Sequence, residues 1–235
     1  MNNRYETKQF ILTVEGETEQ WYFEWLEGEI NKCPKRNYNV SLKAKKCPNP
    51  RDYYKNVNKL TSPRVFHICD VESKDQFHVE KFTSILHEMK NAKTYKKIKY
   101  DLGYSSFTFE LWIILHKIDY FKCLTHRKQY IDPVNKIFGE KFINLDDYKH
   151  EDNFKRCINK LSIYDVIKAI SRAEKIASIN ETDGKKLICK YGYEYYEENP
   201  ALSINVVIKN ILQECGILEK IKKRKINQEL SVDNP

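Results

Sequence analysis

The chain has 235 residues, 41% of them hydrophobic and 31% charged, a balance that fits a globular fold and argues against disorder. Its net charge of +8, from 41 Lys and Arg against 33 Asp and Glu, is compatible with a polyanionic partner but does not require one. Its seven cysteines are widely spaced with no CxxC pair, so we expect free thiols in a reducing cytoplasm rather than a disulfide framework or a zinc site.

The first residues are polar and lack an apolar signal region. No apolar run approaches the ~20 residues of a membrane span. The nearest, 107–115, contains Glu110. No membrane partner is expected.

An apolar, β-branched run over 9–14 stops at Glu15, and one glycine later an aromatic-rich amphipathic stretch begins. This predicts a buried strand, a tight turn and a helix over 18–30, with Thr18 as its cap and Glu19 at its positive end. Trp21 and Trp25, like Tyr22 and Leu26, are four apart and give the helix a broad apolar face. Val40, Leu42 and Ala44 alternate with Ser41, Lys43 and Lys45, which predicts strand two. Pro48-Asn49-Pro50 precedes a predicted helix over 51–60. A strand over 64–69 follows Thr61-Ser62-Pro63 and also ends on an acid, Asp70. Asp70-Val71-Glu72 leads into a helix over 76–89 with Phe77, Phe82, Ile85 and Met89 inward, then a strand over 97–104 and an apolar helix over 107–118.

This β-α-β-α-β-α-β-α order predicts an α/β fold: a parallel sheet covered by helices on both faces. Beyond Asp119 helical patterns take over, at about 126–138, 151–160, 163–179 and 201–215. We therefore divide the chain into an α/β core (1–120), a helical extension packed on the sheet or capping it (121–218), and a basic tail (219–235) that includes Lys220–Lys225.

Two strands of one predicted sheet thus end in carboxylates, Glu15 on one and Asp70 with Glu72 on the other, at the edge where open α/β sheets hold ligands. In an extended segment Asp70 and Glu72 point to the same side. Carboxylates held so close repel unless a cation lies between them. Magnesium suits such a set, since it takes oxygen ligands from one or two carboxylates and a substrate phosphate. No histidine pair stands at a spacing that favours zinc. Acids at strand ends and helix starts are also common surface residues, and spacing alone leaves both readings open.

Three motifs occur in order: Glu15-Gly16-Glu17-Thr18-Glu19 with Tyr22-Phe23; Phe66-His67-Ile68-Cys69-Asp70-Val71-Glu72; and Phe109-Glu110-Leu111-Trp112-Ile113-Ile114-Leu115-His116. Their order resembles a TOPRIM domain. It is more specifically similar to the RloB family, small TOPRIM-type proteins of bacterial anti-phage, abortive-infection loci. Weaker echoes lie at 169–173 and at Asn199-Pro200, and the likeness spans about 9–213.

The resemblance implies a magnesium-dependent nuclease, with manganese as an alternative ion. It would act on DNA or transfer RNA as a toxin and be held in check or assembled by an ABC/AAA-type ATPase. It implies that Glu15, Asp70 and Glu72 bind metal, with Glu15 alternatively a general acid or base, and it places Glu19 and Glu110 in the catalytic set without a defined role. A homo-oligomer is compatible with this. The chain departs from the family pattern in its Asp-x-Glu centre, and in Ser105-Ser106-Phe107-Thr108 where the family tends to have asparagine and proline. The second departure leaves the conformation of that turn open. The rival reading is a decayed TOPRIM subunit that acts as an adaptor or sensor by binding the ATPase.

His116 lies six residues after Glu110, about 240° around a helix, so the two do not share a metal; we expect a buried or interfacial histidine. His67 reads as core, His78 and His87 as helix surface, and Glu17 as loop surface. Trp21, Trp25 and Trp112 read as core rather than as base-stacking platforms. Lys43, Lys45, Lys46 and the lysines of 93–99 read as a solvated face unless they line the edge that holds Glu15. No P-loop pattern occurs, so ATP work falls to a partner. The Lys220–Lys225 run is either a nucleic-acid or partner contact or a solubilising tail.

Overall fold

The apolar runs of the first half become four strands in the computed structural model, which describes residues 5–57 and 63–218. These are β1 (Thr7–Val14), β2 (Asn39–Lys46), β3 (Arg64–Val71) and β4 (Lys99–Ser106). All pair in parallel, in the order β2-β1-β3-β4. The helices α1 (Glu17–Lys32), α2 (Pro50–Lys55) and α3 (Gln76–Lys96) make the crossovers, and α4 (Glu110–Leu115) follows β4. The class is α/β and Rossmann-like, with a helical second half.

Strand alternation decides which side chains meet which layer. Phe10, Leu12, Val14, Phe66 and Ile68 enter one core with side chains of α1 and α4. Val65, Cys69, Tyr100 and Tyr104 enter the other with side chains of α3. Leu12, Val14 and Val65 are fully buried, each worth about 1.5–3 kcal/mol of hydrophobic stabilisation. The chain runs from β1 outward to β2, then returns to place β3 on the opposite side of β1. The carboxyl ends of β1 and β3 therefore flank a topological switch point, the crevice in which such sheets hold ligands.

The second half comprises a 3-10 turn (Arg127–Tyr130), α5 (Ile131–Phe138), α6 (Leu145–Tyr148), α7 (Glu151–Ile158), α8 (Ile163–Thr182), a hairpin of β5 (Leu187–Lys190) and β6 (Tyr193–Tyr196), and α9 (Ile204–Glu214). Residues of α5 and α7 to α9 share the first core with β1 and α4. The hairpin was not expected from the sequence. It covers the other core, with the Tyr195 ring edge-on to Phe82 at 4.9 Å.

Other expectations shift in detail. Helix α2 ends at Lys55, α3 runs on to Lys96, and Phe77 is 72% exposed rather than inward. Helix α4 is shorter than predicted because Phe107 takes a left-handed φ of +62° and delays its start. Residues 58–60 and the basic tail lie outside the described residues. Among the described residues no helix is long and apolar enough to cross a membrane.

Candidate active site

Glu15 directly follows β1, and Gly16 caps α1 in extended backbone, φ −131° and ψ −178°. Space rather than φ requires glycine here, since a Cβ would lie 2.7 Å from Glu19 Oε2. Thr18, the expected cap, sits inside α1, and its hydroxyl donates to Glu19 Oε2 at 3.2 Å. Glu19 is buried. Glu15 reaches across the switch point, where its Oε2 accepts from the Asp70 N–H at 3.0 Å. That bond extends the β1–β3 ladder past its last pair, Val14 with Ile68.

Two lysines stand among the acids. Lys81 Nζ, on α3, donates to Glu15 Oε1 at 2.6 Å and to Glu72 Oε1 at 2.7 Å. Glu72 Oε2 also lies 3.5 Å from His78 Nε2 and 3.7 Å from an Arg127 guanidinium nitrogen. Lys149, just after α6, places Nζ 3.2 Å from Glu110 Oε2 and donates to Thr108 Oγ1 at 3.3 Å. The Thr108 hydroxyl donates in turn to Glu110 Oε2. Glu110 is fully buried, and its Oε1 has no hydrogen-bond partner. Glu15, Glu19, Asp70, Glu72, Arg127 and Lys149 line one cleft of about 270 Å³. Glu110 joins it through Lys149.

Burial raises the Asp70 carboxyl well above the usual carboxylate range, and the charges of Glu19 and Glu15 raise it further against the pull of Lys149. Burial likewise raises Glu19. For Glu72, burial pushes upward, but the hydrogen bond and charge of Lys81 outweigh it and the carboxyl ends below its ordinary value. Burial opposes the charges of Lys81 and Lys149, yet the surrounding carboxylates hold both above the ordinary lysine value.

The donor set is hard carboxylate oxygen, the chemistry that magnesium takes. The Asp70 carboxyl, which lines the cleft and is raised by burial and by the charges of Glu19 and Glu15, is a group that a divalent ion there would satisfy. Among the described residues no three His, Cys, Asp or Glu side chains already form a metal-holding group. The ammonium groups of Lys81 and Lys149 lie between the acids instead. A divalent ion on Glu15 and Glu72 would have to displace the Lys81 ammonium from their Oε1 atoms.

Residues 10–211 match the family model described as RloB-like protein. The chain belongs to the RloB-like family. No curated protein and no solved structure matches it. The RloB-like match spans every acid of the cleft, and also Lys81, Arg127 and Lys149, which the sequence reading passed over. Lys81 had a usable signal: it lies four residues before Ile85 and eight before Met89, a lysine on an apolar stripe. Lys149 and Arg127 had none.

The histidines divide. His116 is fully buried; its Nδ1 donates to Trp112 O at 2.9 Å, so its Nε2 accepts from the Tyr22 hydroxyl at 3.0 Å. Burial lowers its pKa to about 4, and the neutral ring is structural. His67 is core, 2.8 Å from Thr13 Oγ1, and burial lowers it to about 3. His78 differs from its expected surface role, being half-buried beside Glu72. Glu17 is exposed and pairs with Lys46 at 3.2 Å, so that lysine does reach the turn after Glu15.

Proposed function

We propose that the chain is a magnesium-dependent nuclease of TOPRIM type that hydrolyses phosphodiester bonds in DNA or transfer RNA. One observation carries this reading: Glu15, Glu19, Asp70 and Glu72 converge on the switch-point cleft from two separate segments, with Glu110 linked to them through Lys149. Glu15 and Asp70 would hold the ion, and Glu72 would join them when released by Lys81. A bound magnesium supplies charge neutralisation at the scissile phosphate and acidification of a water. The chain's own groups do the rest. The Asp70 N–H fixes the Glu15 carboxylate. Glu19, raised by burial, is suited to hold a proton and give it to the leaving oxygen. Lys149 is a fixed positive charge for the charge that develops on the phosphate. The anti-phage setting and the ATPase partner are part of the same proposal, and what supports them is the family resemblance.

The adaptor reading keeps one supporting observation, the Lys81 ammonium bound to both Glu15 and Glu72. The two readings separate in a single assay. Pure protein, with and without its ATPase, is incubated with plasmid and with total transfer RNA at millimolar magnesium. We expect magnesium-dependent cleavage that falls about 100-fold or more in Glu15→Ala and Asp70→Ala. Cleavage that survives Glu15→Ala removes the assignment. No cleavage, together with tight ATPase binding, selects the adaptor.

A further inference from the structure

A second cleft, of about 590 Å³, adjoins the first and shares Glu72 and Arg127 with it. Its wall carries Phe107, a half-buried ring that packs against the hydrophobic core and also lines the cleft. The φ of +62° at Phe107 is a conformation that bulky residues rarely adopt. Two backbone hydrogen bonds hold it: Phe107 N–H to Val71 O at 2.8 Å and Thr108 N–H to Ser106 O at 2.8 Å. The same turn delivers Thr108 and Glu110 to Lys149. Strain kept at a turn that positions both a ring and a carboxylate is the pattern of a ligand site.

Donors for an anion line the same cleft as the ring. Lys74 and Arg127 line the cleft with His126. His126 Nδ1 accepts from the Lys128 N–H at 3.0 Å, which leaves Nε2–H as its free donor. The acids of this cleft are already engaged: Glu72 Oε1 with Lys81, its Oε2 with His78 at 3.5 Å and more loosely with Arg127 at 3.7 Å, and Asp75 with the Ser73 hydroxyl at 2.9 Å, so a phosphate would compete with Glu72 for Arg127. Arg127, on the border of the two clefts, is placed to hold the phosphate between them.

We propose that this cleft is the subsite for one unpaired nucleotide, its base stacked on Phe107 and its phosphate held by Arg127, Lys74 and His126. This rests on the nuclease reading and names its substrate class: single-stranded or locally unpaired polynucleotide. A base paired within a duplex cannot present its face to Phe107 until it leaves the stack.

Phe107→Gly tests this, because it removes the ring while suiting the left-handed backbone, and Phe107→Tyr restores a ring. Anisotropy of a labelled short single strand and of a duplex of equal length is measured in chelator, where nothing is cleaved. We expect the single strand to bind more tightly than the duplex. Phe107→Gly should weaken the single strand about tenfold and leave the duplex unchanged, with Phe107→Tyr close to wild type. Should Phe107→Gly fail to fold by circular dichroism, Phe107→Asn, a residue that also accepts the left-handed backbone, is expected to show the same selective loss.

The subsite is overturned by wild-type single-strand affinity in the folded variant, by parallel loss on both ligands, by duplex preference, or by no single-strand binding at all. Selective binding that depends on Phe107 without any cleavage upholds the subsite while sinking the nuclease. Cleavage together with binding indifferent to Phe107 sinks the subsite alone.

Discussion

Lys81 and a divalent ion need the same oxygens. The ammonium takes Glu15 Oε1 and Glu72 Oε1 at 2.6 and 2.7 Å, so it competes with metal. Lys81→Met is expected to tighten manganese binding about tenfold in titration calorimetry and to cost the metal-free protein about 1 kcal/mol, a modest figure because the lysine is 38% exposed. Equal manganese affinity in the two proteins would count against the competition. Asp70 makes a second prediction through pH. Its folded pKa is raised, so its contribution to stability is full below the ordinary carboxylate range and is lost as pH rises through the folded value. Glu19 acts in the same sense. Glu72, held low, acts oppositely, but only where pH falls below its ordinary value. The buried neutral rings of His67 and His116 act the other way as pH falls below the ordinary histidine value, so the test compares variants rather than the wild type with itself. In chelator, Asp70→Asn should melt above wild type at about pH 8, and that gain should shrink towards about pH 5. An Asp70→Asn melting temperature that differs from wild type by the same amount at both pH values contradicts the assignment.

At the scale of elements, β4 and α9 touch through a glycine. A Cβ on Gly103 would lie 2.7 Å from Ile68 Cδ1 and 3.1 Å from Val207 Cγ2, so those buried side chains would have to shift, and Ile204 Cα at 3.4 Å would already be in contact. Gly103→Ala is expected to cost about 1–3 kcal/mol, read as a lower urea midpoint with unchanged slope. An unmoved midpoint would mean that α9 yields freely. Strands β1 and β3 were legible in the sequence because strands buried on both faces read as unbroken apolar runs, and the runs stop at Glu15 and Asp70. The acids were therefore found where strands end. The hairpin escaped because each arm has only four residues, partly exposed, with weak alternation. No glycine or asparagine marks the left-handed turn at Phe107. Lys149 reaches the site from a connection between two short helices, and tertiary packing alone relates it to β1 and β3.

On the scale of the whole molecule, the composition shift near Asp119 does not coincide with a break in packing. Leu12 and Val14 of β1 lie in one hydrophobic cluster with Phe154, Val166 and Ile208 of the helical half. Arg172 of α8 donates to the carbonyls of Leu115 at 2.7 Å and His116 at 2.9 Å, satisfying the C-terminal end of α4. Lys149, also from the second half, supplies the cation beside the buried Glu110. A chain cut at residue 120 would expose the apolar face of α4, leave its last carbonyls open and strand a buried carboxylate. We therefore expect a fragment of residues 1–120 to show no cooperative melt, and residues 1–218 to melt in one transition near that of the full chain, since Ile217 and Leu218 close the core. Near- and far-ultraviolet circular dichroism should report that transition at the same temperature. A cooperative melt of the shorter fragment would show that the sheet folds alone. The helical half would then be a lid that brings Lys149 to a finished site, rather than part of the unit that builds it.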